Sequence, residues 1–307
     1  PRGRTAFAPA ARGMRVSLVV LAAGCALAAD APQQIHVALA GADGDGNSNG
    51  MTVSWQTVND TASSVVRYGL TEDGLVYEAT GASSTYYSTY DHHVKLENLA
   101  SNTQYYYSCG DDAAGFSDVL SFRTAAKPDE VEYPLNVALV GDMGVYNSED
   151  NMALLKALKP SYELVFHIGD ISYADDAFLH TPLEFNYENT WNEYMNNIQE
   201  WAAEVPYMVV EGNHEAECHS PACYTDREKM NALSNFTAYK HRFAMPNEES
   251  GGVENMWFSF NYGPVHFVAI DTETNFDGAP IDKYTLSGSD YGVSGDQLAW
   301  LGGDLAE

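Results

Sequence analysis

Three apolar runs in the part of the chain from Leu135 onward end in the same way, and that shared ending narrows the folds open to it. Val140 is followed by Gly141-Asp142-Met143-Gly144, Ile168 by Gly169-Asp170-Ile171-Ser172-Tyr173, and Val210 by Glu211-Gly212-Asn213-His214-Glu215. In each case a glycine permits a sharp exit from an extended segment and an oxygen-bearing side chain follows it. In open α/β sheets, side chains placed this way gather beyond the carboxyl ends of the strands, where ligands bind. A single Gly-Asp is an ordinary turn or helix cap. Asp142, Asp170 and Asn213 in order, at separations of 28 and 43 residues, form a constellation.

The segments around these exits fit such a sheet. Leu135 to Val140 reads as a buried strand, Leu164 to Ile168, Tyr207 to Val210 and Val265 to Ile270 as strands, and Asn151 to Leu158 and Trp191 to Ala203 as helices. The alternation predicts an α/β domain with a largely buried sheet. Upstream the pattern changes. His36 to Thr124 reads as short strands between polar turns, with Met51-Thr52-Val53-Ser54-Trp55 alternating at period two, and this predicts a β-sandwich. Leu99 and Tyr105, across the polar Ala100-Ser101-Asn102-Thr103, look like the tyrosine corner of immunoglobulin-like and fibronectin-type modules. Gly41 to Gly50 reads as a strand-to-strand turn, with a weak surface calcium site as the alternative. The expected division is a leader over 1–29, the sandwich over 30–125, a linker over 126–134 and the α/β domain over 135–307.

Two carboxylates and a carboxamide brought together lose hydration and repel unless cations neutralise them, so the constellation predicts metal. Hard oxygen ligands favour Mg²⁺, Mn²⁺, Zn²⁺ or Fe³⁺, and one aspartate can bridge two ions about 3.5–4 Å apart. Composition supports this. Lys and Arg total 15 against 43 Asp and Glu; four arginines lie in the first 29 residues, leaving 11 basic against 43 acidic residues, a balance of −32. Such a chain lacks the basic footprint that nucleic acid or an anionic membrane surface requires. An anionic substrate would have to be drawn by something other than net charge, and bound metal would do it.

Met14-Arg15 opens an apolar run from Val16 to Ala29, too short to span a bilayer and ending in Ala26-Leu27-Ala28 before Asp30. It reads as a cleaved secretory signal, with a core helix or a lipoprotein anchor at Cys25 as alternatives, and nothing else spans a membrane. Cys218 and Cys223 flank a loop short enough for a disulfide contributing about 2 kcal/mol, and Cys109 is left over. Asn59-Asp60-Thr61 and Asn235-Phe236-Thr237 are glycosylation acceptors in a secreted eukaryotic protein.

Gly141-Asp142-Met143-Gly144, Gly169-Asp170-Ile171-Ser172-Tyr173 and Gly212-Asn213-His214-Glu215 resemble the first three signature blocks of the metallophosphoesterases, and Tyr173 looks specifically like the purple acid phosphatases. Tyr173-Ala174-Asp175, Arg242-Phe243-Ala244-Met245-Pro246 and Gln297-Leu298-Ala299-Trp300-Leu301 are similar to that family's connecting segments, so the resemblance covers nearly the whole chain. It implies a fibronectin-type or immunoglobulin-like β-sandwich followed by an α/β metallophosphoesterase domain, a sheet core flanked by helices. Two further family blocks, Val-x-x-His and Gly-His-x-His, which supply three histidine ligands, do not occur in these residues. The resemblance therefore implies a chain cut short on its C-terminal side, with a metal site only half contained here.

Carried over residue by residue, Asp142 would bind Fe³⁺, Asp170 would bridge both ions, Tyr173 would give iron a phenolate, and Asn213 would bind a divalent ion, Zn²⁺, Mn²⁺ or Fe²⁺. His214 would face the phosphate and leaving group without binding metal. The expected function is a secreted, extracellular or vacuolar/lysosomal acid phosphatase, in which a metal-held hydroxide attacks small phosphate monoesters and protonated His214 assists the leaving alkoxide. The alternatives are a phosphodiesterase or nucleotide-specific member of the same fold, and a secreted binding protein without catalysis. His167 and His266 are expected to be packed or hydrogen-bonded within strands, His36, His92 and His93 belong to the first domain, and His180 and His219 lie in loops that could orient substrate. Asp271 is a candidate supporting acid.

Overall fold

The computed structural model describes residues 31–131, 133–146, 148–273 and 296–306; the leader with Met14 and Cys25 lies outside them. The first domain is a sandwich of two antiparallel sheets. One has the order β1 (Gln33–Ala40), β2 (Gly50–Thr57), β6 (Tyr90–Leu96), β5 (Ala82–Thr85). The other runs β4 (Tyr77–Thr80), β3 (Val65–Gly69), β7 (Gln104–Asp111), β8 (Gly115–Phe116), with β9 (Leu120–Arg123) also on β7. Val37, Leu39, Val53, Trp55, Val94, Tyr107 and Phe122 fill the space between them. The corner anticipated at Tyr105 is formed: its Oη accepts the Ala100 N–H at 3.1 Å. Cys109 lies unbridged and buried in β7.

His92 is fully buried in this sandwich, stacked on Trp55 with 4.9 Å between ring centroids, and both ring nitrogens meet hydroxyls of Thr57 and Ser64 at 2.8 Å. Burial holds its pKa down at about 4, with the neighbouring His93 acting in the same direction. A histidine whose folded pKa is depressed contributes stability that is complete above its unfolded value of about 6.5 and is lost as pH falls toward 4. His92→Gln should therefore remove about 1.4 kcal/mol per pH unit from the slope of unfolding free energy across that window. Urea unfolding at a series of pH values reads this, and equal slopes in the two proteins would refute it.

The second domain is built on a parallel sheet of β10 (Val137–Val140), β11 (Leu164–Ile168) and β12 (Tyr207–Val210). Its register pairs Val140 with His167 and Ile168 with Val210, so the three exits leave on one side. The helices α1 (Glu149–Leu158), α2 (Ala177–His180), α3 (Tyr187–Ala202), α4 (Pro221–Thr225), α5 (Arg227–Ala232) and α6 (Thr237–Arg242) follow in order. The antiparallel hairpin of β13 (Phe258–Tyr262) and β14 (Val265–Ala269) sets Phe260 and Phe267 edge-on to Phe166. Helix α7 (Gln297–Asp304) closes the described chain. None of the described helices is long and apolar enough to cross a membrane.

Helix α3 joins the two domains. Trp191, Tyr194, Met195, Ile198 and Trp201 recur at helical spacing and are all buried, which gives the stripe a broad apolar face. Gln199 on this helix accepts the Ile35 N–H of β1 at 2.9 Å, and Tyr107 Oη donates to the Ala203 carbonyl at 2.6 Å. The expectation of a buried first strand is corrected at β10: it is the edge of the described sheet, Leu139 is 65% exposed and no residue of the strand is fully buried. An apolar run shows that a strand is apolar, not that both its faces are covered.

Candidate metal centre

The exits after β10 and β11 run side by side, with the N–H groups of Asp142, Met143 and Gly144 donating to the carbonyls of Gly169, Asp170 and Ile171. Asp142, Asp170 and Tyr173 all sit in the left-handed region, at φ of 52, 54 and 55°. Each such non-glycine residue costs about 1–2 kcal/mol, a strain that other contacts must hold. The strain aims the side chains at one another: Tyr173 Oη donates to Asp142 Oδ1 at 2.9 Å and to Asp170 Oδ2 at 3.3 Å. Asn213 opens the turn after β12 and lines a cavity of about 370 Å³ with Asp142, Asp170 and Glu211. Gly212 lies so close that a Cβ there would collide with the Asp170 carboxylate.

The donor chemistry fits a cation. Among the described residues the cavity is lined by Asp142, Asp170, Glu211 and Glu273 and by no lysine or arginine. Burial, then the hydrogen bond and charge of Asp142 and the charge of Asp170, push the Tyr173 phenol above its usual range. These oxygens repel further negative charge and would favour a metal ion, which would reverse the effect on the phenol.

Two carboxylates that no sequence reading assigned a role organise the site. Glu215 is fully buried and accepts the N–H groups of Asp170 (3.0 Å), Ile171 (2.9 Å) and Gly212 (2.9 Å), tying the second ligand turn to the third. Asp175, also fully buried, takes His214 Nδ1 at 2.9 Å. Burial alone would lower the His214 pKa; the hydrogen bond and charge of Asp175, with Asp170 and Asp176, outweigh it and raise it to about 9. The His214 ring lies 4.2 Å from that of Tyr173, and the backbone N–H of His214 donates to Asp170 Oδ1 at 3.2 Å. The only earlier signal for Glu215 and Asp175 was their place inside the quoted blocks.

The remaining candidates fall around this centre. His219 also reaches Asp175, at 2.8 Å, and Asp175, Asp176 and His219 bring ligand atoms within 4.8 Å of one another, a group separate from Asp142, Asp170 and Asn213. His180 is exposed on α2 and stacks on Tyr146. Asp271 is buried beside Glu211, whose carboxyl is held well above its usual pKa by burial and by the Asp271 charge. His167 is buried and bonded to Tyr207 Oη at 2.6 Å, and His266 is exposed on β14 and hydrogen-bonded to Asn261 and Asp304. Cys218 and Cys223 are bridged and buried; Asn59 and Asn235 are exposed.

Residues 32–124 match the family model for the purple acid phosphatase N-terminal domain, and residues 135–301 that for the calcineurin-like phosphoesterases. Purple acid phosphatase 15 of Arabidopsis thaliana is 31% identical over 271 residues, covering 80% of this chain and 46% of the relative. Acid phosphatase type 7 of Danio rerio is 33% identical, covering 92% of this chain and 57% of the relative. The chain thus spans about half the length of the curated relatives it matches. The solved structure of purple acid phosphatase PPD1 from yellow lupin (Lupinus luteus) seeds shares the fold, with a TM-score of 0.66 at 21% identity over 91% of this chain and 48% of that one. The second of these family models spans more than half of the chain and the first takes up most of what precedes it, so the chain belongs to the purple acid phosphatases, within the calcineurin-like phosphoesterases.

Proposed function

We propose that this chain carries the N-terminal part of the active site of a secreted acid phosphatase acting on small phosphate monoesters with Fe³⁺ and a divalent ion, Zn²⁺, Mn²⁺ or Fe²⁺. The observation that carries the reading is the convergence of Asp142, Asp170 and Tyr173 oxygens, with Asp142 and Asp170 lining, together with Asn213, a cavity that has no basic side chain among the described residues. Asp142 and Tyr173 would hold the ferric ion, Asp170 would bridge, and Asn213 would hold the divalent ion. When bound, such a pair supplies positive charge to the phosphoryl group and acidifies water. The protein's own part is orientation and proton delivery. Asp175 engages His214 at Nδ1, which leaves Nε2 to donate a proton to the leaving alkoxide. The Cys218–Cys223 bridge and the exposed Asn59 and Asn235 suit an oxidising, glycosylating route.

The protein expressed from its complete reading frame and loaded with iron and zinc should hydrolyse phenyl phosphate well and bis-phenyl phosphate poorly; the reverse preference would make it a phosphodiesterase. It should be violet to pink, because a phenolate on Fe³⁺ absorbs in the visible. Tyr173→Phe should bleach it while iron largely remains, and colourless, iron-loaded wild type would remove Tyr173 from the ligand set.

A further inference from the structure

We propose that His219 is a positioning residue: it shares the buried Asp175 carboxylate with His214 and thereby fixes the ring that delivers the proton, while the Cys218–Cys223 bridge holds His219 itself. The inference rests on the phosphatase reading. His214 Nδ1 lies 3.0 and 2.9 Å from the two Asp175 oxygens, and His219 Nδ1 lies 2.8 Å from Asp175 Oδ2. Asp175 is fully buried, so water cannot replace either partner at little cost. On the far side of the His219 ring, Nε2 lies 3.7 Å from Oε1 of the buried Glu217, an ion-pair separation longer than a hydrogen bond.

His219 follows Cys218 in the loop that the disulfide closes. The Cys218 N–H donates to the Leu233 carbonyl at 2.8 Å, and Ser220 turns the chain into α4, its Oγ accepting the Ala222 N–H at 3.3 Å. Imidazole, carboxylate and imidazole thus form one connected row anchored by a covalent bridge. Without His219 the Asp175 side chain would keep a single imidazole partner and gain freedom to turn, and the His214 ring with it. A partner one shell removed from the reacting atoms typically changes activity by about 10–100-fold, through the orientation of the group it supports.

In the complete, metal-loaded protein, His219→Leu should lower kcat about tenfold or more for alkyl phosphates, much less for aryl esters with good leaving groups, and leave KM nearly unchanged. His219→Asn, whose amide nitrogen takes the place of Nδ1, should restore most of the loss. In a His214→Ala background, His219→Leu should have no further effect, and additive losses would overturn the proposal. A readout free of turnover comes from the metal-free chain: the His214 Nδ1 proton, bonded to a buried carboxylate, should resonate far downfield and exchange slowly, and should broaden or vanish in His219→Leu. An unchanged proton signal overturns the inference. Absence of turnover in the wild type would overturn the phosphatase reading and leave that signal to decide this one. Should the leucine variant fail to fold, Cys218→Ser with Cys223→Ser, which keeps His219 and frees its loop, makes the same test.

Discussion

Glu215→Ala is expected to destabilise the metal-free chain by about 3–6 kcal/mol and to weaken metal binding. Three backbone donors, on Asp170, Ile171 and Gly212, meet this one buried carboxyl at 2.9–3.0 Å. Each buried donor left without a partner costs about 1–3 kcal/mol, and alanine strands all three. Burial pushes the Glu215 pKa up to about 8, while the N–H groups of Ile171 and Gly212 pull it back by favouring the charged form. Glu215→Gln keeps the shape but turns one acceptor into a donor facing an N–H. It should therefore lose about 1–3 kcal/mol, less than alanine. Because Glu215 ties the turn bearing Asp170 to the turn bearing Asn213, alanine should also lower metal affinity by about 10–100-fold. Urea unfolding and metal titration measure the two effects. A loss below about 1 kcal/mol for alanine would mean that the two turns hold their shape without the carboxyl.

Glu215 also shows what the sequence could and could not disclose. Asp142, Asp170 and Asn213 were legible because each follows an apolar run that becomes a strand of one parallel sheet, with the runs adjacent in the order β10, β11, β12. Strand order and direction alone then bring their side chains to one end. Glu215 and Asp175 were read only as letters within blocks, since their roles depend on contacts across 39–45 residues that no local pattern encodes. His219, read as a loop histidine that could orient substrate, reaches Asp175 instead, 44 positions away.

The sandwich was legible where apolar and polar residues alternate, as from Met51 to Trp55 in β2, and not where strands are short and exposed. β4 and β5 carry Tyr77-Glu78-Ala79-Thr80 and Ala82-Ser83-Ser84-Thr85, too short and too exposed to announce themselves, and pair with the ladders that β3 and β6 offer. The seam between the domains was not legible at all. The segment Arg242 to Pro246 was quotable as a family-like stretch, yet its arginine finds partners up to 208 residues away.

That seam yields the other large effect. Arg242, the last residue of α6, is buried between the domains, with Nη2 donating to Glu188 Oε2 at 3.0 Å and to Asn192 Oδ1 at 3.1 Å, both on α3. Toward the first domain, Nε donates to Tyr86 Oη at 2.9 Å and Nη1 to Gln34 Oε1 at 3.0 Å. Removing one partner of a buried, hydrogen-bonded ion pair costs about 3–5 kcal/mol, because the other charge stays buried and uncompensated. Arg242→Ala should lose that much, as Glu188 keeps only Tyr86 among these contacts and the buried Asp91, held at about 7 chiefly by its burial and lowered by the Arg242 charge, moves higher still. Arg242→Lys should recover only part, since an ammonium cannot reproduce a planar fork serving four acceptors. Arg242→Met with Glu188→Met should recover most of the stability, because an apolar pair of similar volume leaves no charge behind. The buried pair would then be responsible for domain register rather than net stability, and the double variant should show it by unfolding in two steps where the wild type unfolds in one. Calorimetry and urea unfolding with probes in each domain measure both, and an alanine variant within about 1 kcal/mol of wild type would show that the seam is held by its apolar contacts alone.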